Sequence, residues 1–416
     1  MEAPKLHAAL ARLTRDVGLA EELAQEALVV ALERWPESGV PDNPGAWLMT
    51  TAKNRALDDL RRRKLLRGKH QELGRELEAE QDAAAGELEA RLERELDDDV
   101  GDDLLRLIFT ACHPVLARDA RVALTLRLLG GLTTAEIARA FLTPEPTIAQ
   151  RIVRAKKTLA EANLPFEMPR GADRAERLAS VLEVIYLVFN EGYAATAGDD
   201  WMRPELCEDA LRLGRVLAGL APDEPEVHGL VALMEIQASR VHARSGPTGE
   251  PILLLEQDRS RWDQLLIRRG LAALAQAEAL GGARGRYALQ AALAACHARA
   301  RTAKETDWAR IAGLYSALGE VAPSPIVELN RAIALGMLFG PEAALKIVDA
   351  LKDDPALAGY HLLPSVRADF LTKLGRFDEA RAELERAAAL TQNARERTLL
   401  LGRAEACGRR RQDPAT

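Results

Sequence analysis

No stretch of this 416-residue chain sustains the alternation of β-branched and polar residues that a half-buried strand requires. Ala, Leu, Glu and Arg recur at helical spacing from end to end, and only 4% of the residues are aromatic. Those two facts restrict the chain to an all-α fold. Its length exceeds what one ordinary core holds, so several domains are expected.

No apolar run approaches bilayer length, so no membrane partner is expected. The opening "MEAPKLHAALARLTRD" reads as an amphipathic helix rather than a signal peptide. Cys112, Cys207, Cys296 and Cys407 lie about ninety or more residues apart, which offers neither a zinc knuckle nor a redox pair and suits a reducing cytoplasm. Cys112 stands beside His113, but no second close pair completes a metal site, and no cofactor is expected.

The formal charge of −7 hides a strong local asymmetry. Residues 61–69, "RRRKLLRGK", are basic; residues 72–103 are acidic and close on "DDDVGDD"; "QRIVRAKK" (150–157) is basic again. Two small basic modules joined by an acidic tether fit that pattern.

The first module opens with "LAEELAQEALVVALERW" (19–35). Leu23, Ala27, Val30 and Ala31 form its apolar stripe, and Glu21, Glu22, Gln25, Glu26 and Glu33 its acidic face. The Pro/Gly-rich "PESGVPDNPGAW" (36–47) is expected to be an irregular loop. In "AWLMTTAKNRALDDLRRRK" (46–64), Leu48, Met49, Ala52, Ala56 and Leu60 share one helix face. Trp47, Thr51, Asn54, Asp58, Arg61 and Arg62 share the other. Such a face can hold phosphates and stack an unpaired base. Equally, Trp47 could be core and the arginines a helix end favoured by the dipole.

The second module, "ALTLRLLGGLTTAEIARAFLTPEPTIAQRIVRAKKTL" (123–159), reads as a helix-turn-helix. Gly130 and Gly131 close one helix, Thr133 or Thr134 caps the next, and Ile137, Ala138 and Phe141 form its core face. After the "TPEP" turn, Ile148, Ile152, Ala155 and Leu159 line one side of the last helix. Thr147, Gln150, Arg151, Arg154 and Thr158 line the other, where donors can read base edges and cations can neutralise phosphates.

Beyond "MPRG" (168–171) the chain is long helical text broken at "AGDD", "APDEP" and "SGPTGEP", with helix pairs from about Arg259. "LGRFDEARAELERAAAL" (374–390) carries Gly375, Phe377, Ala380, Leu384 and Ala387 at tetratricopeptide-repeat (TPR) offsets. Ala344, Val348 and Leu351 repeat the set about 36 residues earlier, close to that period. An ordinary helical bundle is the alternative.

As an ordered pair, the two modules resemble regions 2 and 4 of the extracytoplasmic-function sigma factors of bacterial RNA polymerase. The remainder resembles the subgroup with a long TPR-like extension, whose signatures look like "YLVFNEGY" (186–193) and "QDRSRWD" (257–263). The resemblance implies region 2 at 1–68, an acidic linker at 69–100, region 4 at 101–165, a helical middle domain at 170–260 and TPR-like repeats at 261–408. It implies that Asn43, Trp47, Asn54, Arg55, Asp58, Arg61 and Arg62 meet the minus-ten element. Thr147, Gln150, Arg151, Arg154 and Lys157 would meet the minus-thirty-five element. Glu22, Gln25 and Glu26 would bind core polymerase. Pro144, Pro146 and Ala149 depart from the common pattern of Ser, Gly and Lys around the recognition helix and bear on base preference.

The implied partners are core RNA polymerase, promoter DNA and a protein bound by the TPR-like extension, which would regulate in either direction. Tyr186, Phe189, Tyr193 and Trp201 could line a small-molecule groove or simply pack a core. A ligand- or partner-sensing helix-turn-helix regulator is the alternative, but it leaves residues 19–64 unexplained. No nucleophile–base pair, phosphate loop or metal spacing points to an enzyme.

Overall fold

The computed structural model describes residues 2–68, 100–141, 143–162, 164, 166–169, 171–195, 197–247 and 249–412. They form two compact units, 1–185 and 186–416, and both are helical. The acidic segment expected as a linker, 69–100, lies outside the described residues except for Val100.

The first unit contains α1 (Glu2–Thr14), α2 (Val17–Ser38), α3 (Pro44–Gly68), α4 (Val100–Ala111) and α5 (Arg118–Thr125). A π-helical turn (Leu126–Gly130), α6 (Thr134–Ala140), α7 (Glu145–Glu161) and the start of α8 (Gly171–Tyr193) complete it. Asp16 caps α2, its Oδ1 accepting from the amides of Gly18 and Leu19 at 2.7 and 3.1 Å. Ala20, Leu23, Ala24, Ala27 and Ala31 form the buried stripe of α2, while Val30 is only half-buried.

α2 runs through Pro36 to Ser38, so the irregular stretch is shorter than the expected loop and begins at Gly39. Pro36 is tolerated because the backbone bond it forfeits lies in an exposed final turn. In α3, Leu48, Ala52 and Ala56 are buried and Met49 is half-buried; the Leu60 side chain lies outside the described residues.

The second unit holds the end of α8, then α9 (Pro204–Leu220), α10 (Pro225–Ala238), α11 (Gln264–Ala279) and α12 (Arg286–Arg299). It continues through α13 (Trp308–Val321), α14 (Pro325–Phe339), α15 (Pro341–Ala350), α16 (Leu362–Lys373), α17 (Phe377–Leu390) and α18 (Ala394–Gln412). Chain neighbours pack on one another, and α10 packs on both α11 and α12. Proline at the first turn starts α9, α10, α14 and α15, where its missing N–H is not needed.

One apolar core runs from Leu329 in α14 through Val348, Phe370 and Leu384 to Leu400 in α18. Ala344, Val348, Ala380, Leu384 and Ala387, the small and apolar positions marked by the 36-residue period, are buried in it. Gly375, at φ +73°, makes the left-handed turn that folds α17 back on α16. Among the described residues β pairing is confined to an isolated Ser245–Pro251 bridge and a two-residue parallel contact, Ala197–Gly198 with Gln392–Asn393. The buried Asn393 side chain anchors it by donating to the carbonyl of Asp200 at 3.0 Å.

Candidate nucleic-acid interface

Asn43 begins α3 as its cap: Oδ1 accepts from the Ala46 amide at 3.1 Å. One lone pair of its oxygen is thus committed to the backbone, and the amide nitrogen remains for another contact. Four residues on, Trp47 is half-buried and edge-on to Trp35, with ring centroids 5.4 Å apart. Trp47 is therefore neither a full core residue nor a free platform. Asn54 and Arg55 are exposed on the same helix. Arg55 approaches Glu26 at 3.9 Å with both side chains half in water, a contact of little energy. The side chains of Asp58, Arg61 and Arg62 lie outside the described residues.

Glu22, Gln25 and Glu26 form an exposed polar edge on α2. Glu21, expected on the same acidic face, is instead only 5% exposed. It lies among Val17, Ala20 and Ala24, so its position in the helical period places it in the apolar row.

The second module has the expected helix-turn-helix order. The π turn closes at Gly131, whose φ of +77° favours glycine. Thr133 then makes a reciprocal capping box with Glu136. The Glu136 amide donates to Thr133 Oγ1 at 3.2 Å, and Glu136 Oε2 accepts from the Thr133 amide at 2.7 Å. Ile137 and Ala138 are buried and Phe141 is half-buried. On α7, Ile148, Ile152, Ala155 and Leu159 face the core. Gln150, Arg154 and Lys157 are exposed, and Thr147 and Arg151 are half-buried. Arg151 pairs with Asp119 at 3.2 Å and Lys157 with Glu161 at 3.6 Å, so those two cations have competing carboxylates at hand.

Within the first unit the two modules touch. Glu21 receives Arg127 Nε at 2.7 Å and Lys156 Nζ at 2.5 Å. Burial pushes its carboxyl upward, but the two cations outweigh burial and hold it below the ordinary carboxylate value. Lys156 belongs to α7, on the side away from Gln150 and Arg154. α1 packs on α4, where Arg12 reaches the buried Asp103 at 3.1 Å. His7, buried on α1, donates Nδ1–H to the Leu128 carbonyl at 3.1 Å, and burial lowers its pKa. Sequence reading missed this seam; its one visible signal was a glutamate in an apolar stripe.

In the second unit the four aromatic residues do not line a single groove. Phe189 is core and stacks on Tyr193. Tyr186 turns to Tyr287 and donates to Gln290 at 3.0 Å. Tyr193 and Trp201 enclose Arg244 between them.

Residues 1–65 match the family described as sigma-70 region 2, and residues 106–159 match sigma-70 region 4. The chain is 30% identical over 152 residues to the ECF RNA polymerase sigma factor SigK of Mycobacterium ulcerans (strain Agy99), covering 36% of this chain and 74% of that protein. The chain belongs to the ECF sigma factors. An uncharacterized protein of Rhizobium meliloti (strain 1021) is 44% identical over 393 residues, covering 94% of this chain and 91% of that protein. Residues 177–278 match a family of unknown function, DUF6596. No solved structure matches the chain.

As a sigma factor, the chain presents its two matched regions as the helical modules built above, with a second helical unit downstream. Sigma factor families are not enzymes. Cys112 beside His113 is a core residue: burial pushes its thiol up to about 11, and it bonds Thr125 Oγ1 at 3.3 Å. Among the described residues no group of three His, Cys, Asp or Glu could hold a metal ion, and no helix is long and apolar enough to cross a membrane.

Proposed function

We propose that this sigma factor binds core RNA polymerase through Glu22, Gln25 and Glu26 and directs it to bipartite promoters. Asn43, Trp47, Asn54, Arg55, Asp58, Arg61 and Arg62 meet the minus-ten element. Thr147, Gln150, Arg151, Arg154 and Lys157 meet the minus-thirty-five element. The observation that carries this reading is the ordered pair of region 2 and region 4, with Glu22, Gln25, Glu26, Asn54, Arg55, Gln150, Arg154 and Lys157 exposed beside buried apolar faces. The unit at 186–416 regulates the outcome, in cis or through a protein partner docked on its helical hairpins.

Promoter engagement requires the first unit to open. Two elements about 25 base pairs apart are separated by about 85 Å of duplex, whereas a compact unit of 185 residues is about 40 Å across. The 31 residues between Gly68 and Val100 reach at most about 100 Å, enough for the separated modules. The seam through Glu21, Arg127 and Lys156 is therefore a resting contact that polymerase and promoter pull apart.

The test is transcription by core polymerase from a promoter template with a pre-melted bubble, using the full chain. Core-dependent initiation that falls at least tenfold in an Asn54→Ala/Arg154→Ala variant supports the reading. Failure to bind core, together with tight binding to duplex DNA alone, would instead favour a sensor-type regulator. Spin labels on α2 and α7 should separate on complex formation; an unchanged distance in an initiating complex rejects the opening step.

A further inference from the structure

Six side chains of the second unit alternate aromatic ring and guanidinium in one row: Trp201, Arg244, Tyr193, Arg240, Trp262 and Arg259. The Arg244 guanidinium carbon is 4.4 Å from the Trp201 ring centre and 3.5 Å from that of Tyr193. Arg240 lies 5.6 Å from Tyr193 and 5.5 Å from Trp262, and Arg259 lies 5.2 Å from Trp262. All six fall within the segment matched to the family of unknown function. Tyr193 closes the "YLVFNEGY" stretch, and Arg259 and Trp262 come from "QDRSRWD".

The row is heavily charged for its burial. Arg244 and Arg259 are 6% and 8% exposed. Arg259 donates to the carbonyls of His297 and Ala300 and to Thr306 Oγ1, and Arg240 to Tyr193 Oη and Gln237 Oε1. Every one of these acceptors is neutral. Among the described residues none of the three arginines forms an ion pair with a carboxylate. Glu396 senses the charge of Arg244, but it is held by His361 at 3.2 Å and by the Thr391 hydroxyl at 2.8 Å. Glu305 likewise senses the charge of Arg259, but it accepts from the Arg301 amide and the Thr302 hydroxyl, each at 3.2 Å, so two carboxylates engaged elsewhere face three cations.

The consequences show in the neighbours. Burial and then Arg240 hold Arg244 and Arg259 below the ordinary arginine value. His297 is pushed down to about 3 by burial, then by Arg240 and Arg259. Four buried donors in the row lack acceptors: Arg240 Nε, Arg244 Nη1, Arg259 Nε and Trp262 Nε1. Unanswered buried donors of this kind are costly, and here they recur along one row.

We infer that this row is a binding site for a small molecule bearing a phosphate or carboxylate group, taken up edge-on by Arg240 and Arg244. The aromatic rings cover the faces of the guanidiniums, while Arg240 Nε and Arg244 Nη1 remain at their edges as buried donors without acceptors; through two such parallel N–H groups arginine grips an oxyanion. Tyr193, Trp201 and Arg240 are half-buried, so the row is reached from their side, while Trp262 and Arg259 form its floor. This inference is independent of the promoter residues proposed above.

The experiment titrates the full chain with inorganic phosphate and, separately, with citrate, against sodium chloride at matched ionic strength. Thermal midpoint and tryptophan fluorescence are the readouts. A saturable response to either anion, with a midpoint rise of about 5 °C at a hundredfold excess over Kd, supports the site. Phosphate alone saturating assigns a phosphate-bearing ligand, and citrate alone a carboxylate-bearing one. Arg244→Met should abolish saturation. Arg240→Lys, which keeps the charge and loses the fork, should weaken binding about tenfold and decides the matter if the first variant does not fold. Responses to both anions that merely follow the chloride control, or Arg240→Lys binding as tightly as the natural chain, overturn the proposal.

Discussion

In residues 1–185 the buried charge Glu21 meets two cations that reach it from the other DNA-binding module, whereas in residues 186–416 three arginines share aromatic rings and no carboxylate. The first arrangement is complete in itself, and each partner is readily hydrated once released, so the seam can open in water. The second lies beside helical hairpins that share one apolar core, where separation would expose Phe370 and Leu384. A polar seam between modules suits the separation proposed above, and a shared apolar core suits parts that stay together.

The largest test of that contrast is Phe370→Ala, which empties a fully buried site and should cost the second unit about 4 kcal/mol while leaving the first unchanged. Calorimetry should show one of two transitions moving; a joint shift would mean the units unfold together. Glu21→Ala should lower the first unit by about 3 kcal/mol, because Arg127 and Lys156 are left partly buried without their carboxylate. Urea unfolding followed by α2–α7 spin-label distances would see both the loss and the opened seam. A change under about 0.5 kcal/mol would make the seam incidental.

Acid sharpens the comparison next. His7 is buried with its pKa below 6.5, so the unfolded chain takes the proton first and stability falls as pH drops below about 6.5, by up to about 1 kcal/mol per unit. His113, also lowered by burial, adds to the same slope. Glu21 acts in a lower window: its contribution is present above the ordinary carboxylate value of 4.5 and disappears as pH falls through its depressed value. His7→Asn, which can keep a donor for Leu128, should flatten the upper slope and leave the lower one.

Two smaller effects lie on the helix-turn-helix. Thr133→Ala removes the capping box and should cost about 1 kcal/mol, read from the first unit's urea midpoint. Arg154→Ala sits on an exposed face and should change stability by less than about 0.5 kcal/mol. In the polymerase–promoter complex it should reduce the salt dependence of binding by about one counterion.

Sequence alone determined the all-helical class, the two basic modules and the buried faces of α3 and α7, because helical periodicity and capping act within a few residues. Ala380, Leu384 and Ala387 were legible for the same reason. Pro36 misled because it sits in the exposed last turn of α2, where water can meet the carbonyl left without its backbone partner. Tertiary structure decided what periodicity cannot encode: that Glu21 belongs to a seam with Arg127 and Lys156, more than a hundred residues away. It likewise brought Tyr193, Arg244 and Trp262 from three separate stretches into one row. Charges pair or stack through space, and a linear pattern does not show which distant side chains will meet or which will be left without a counter-charge.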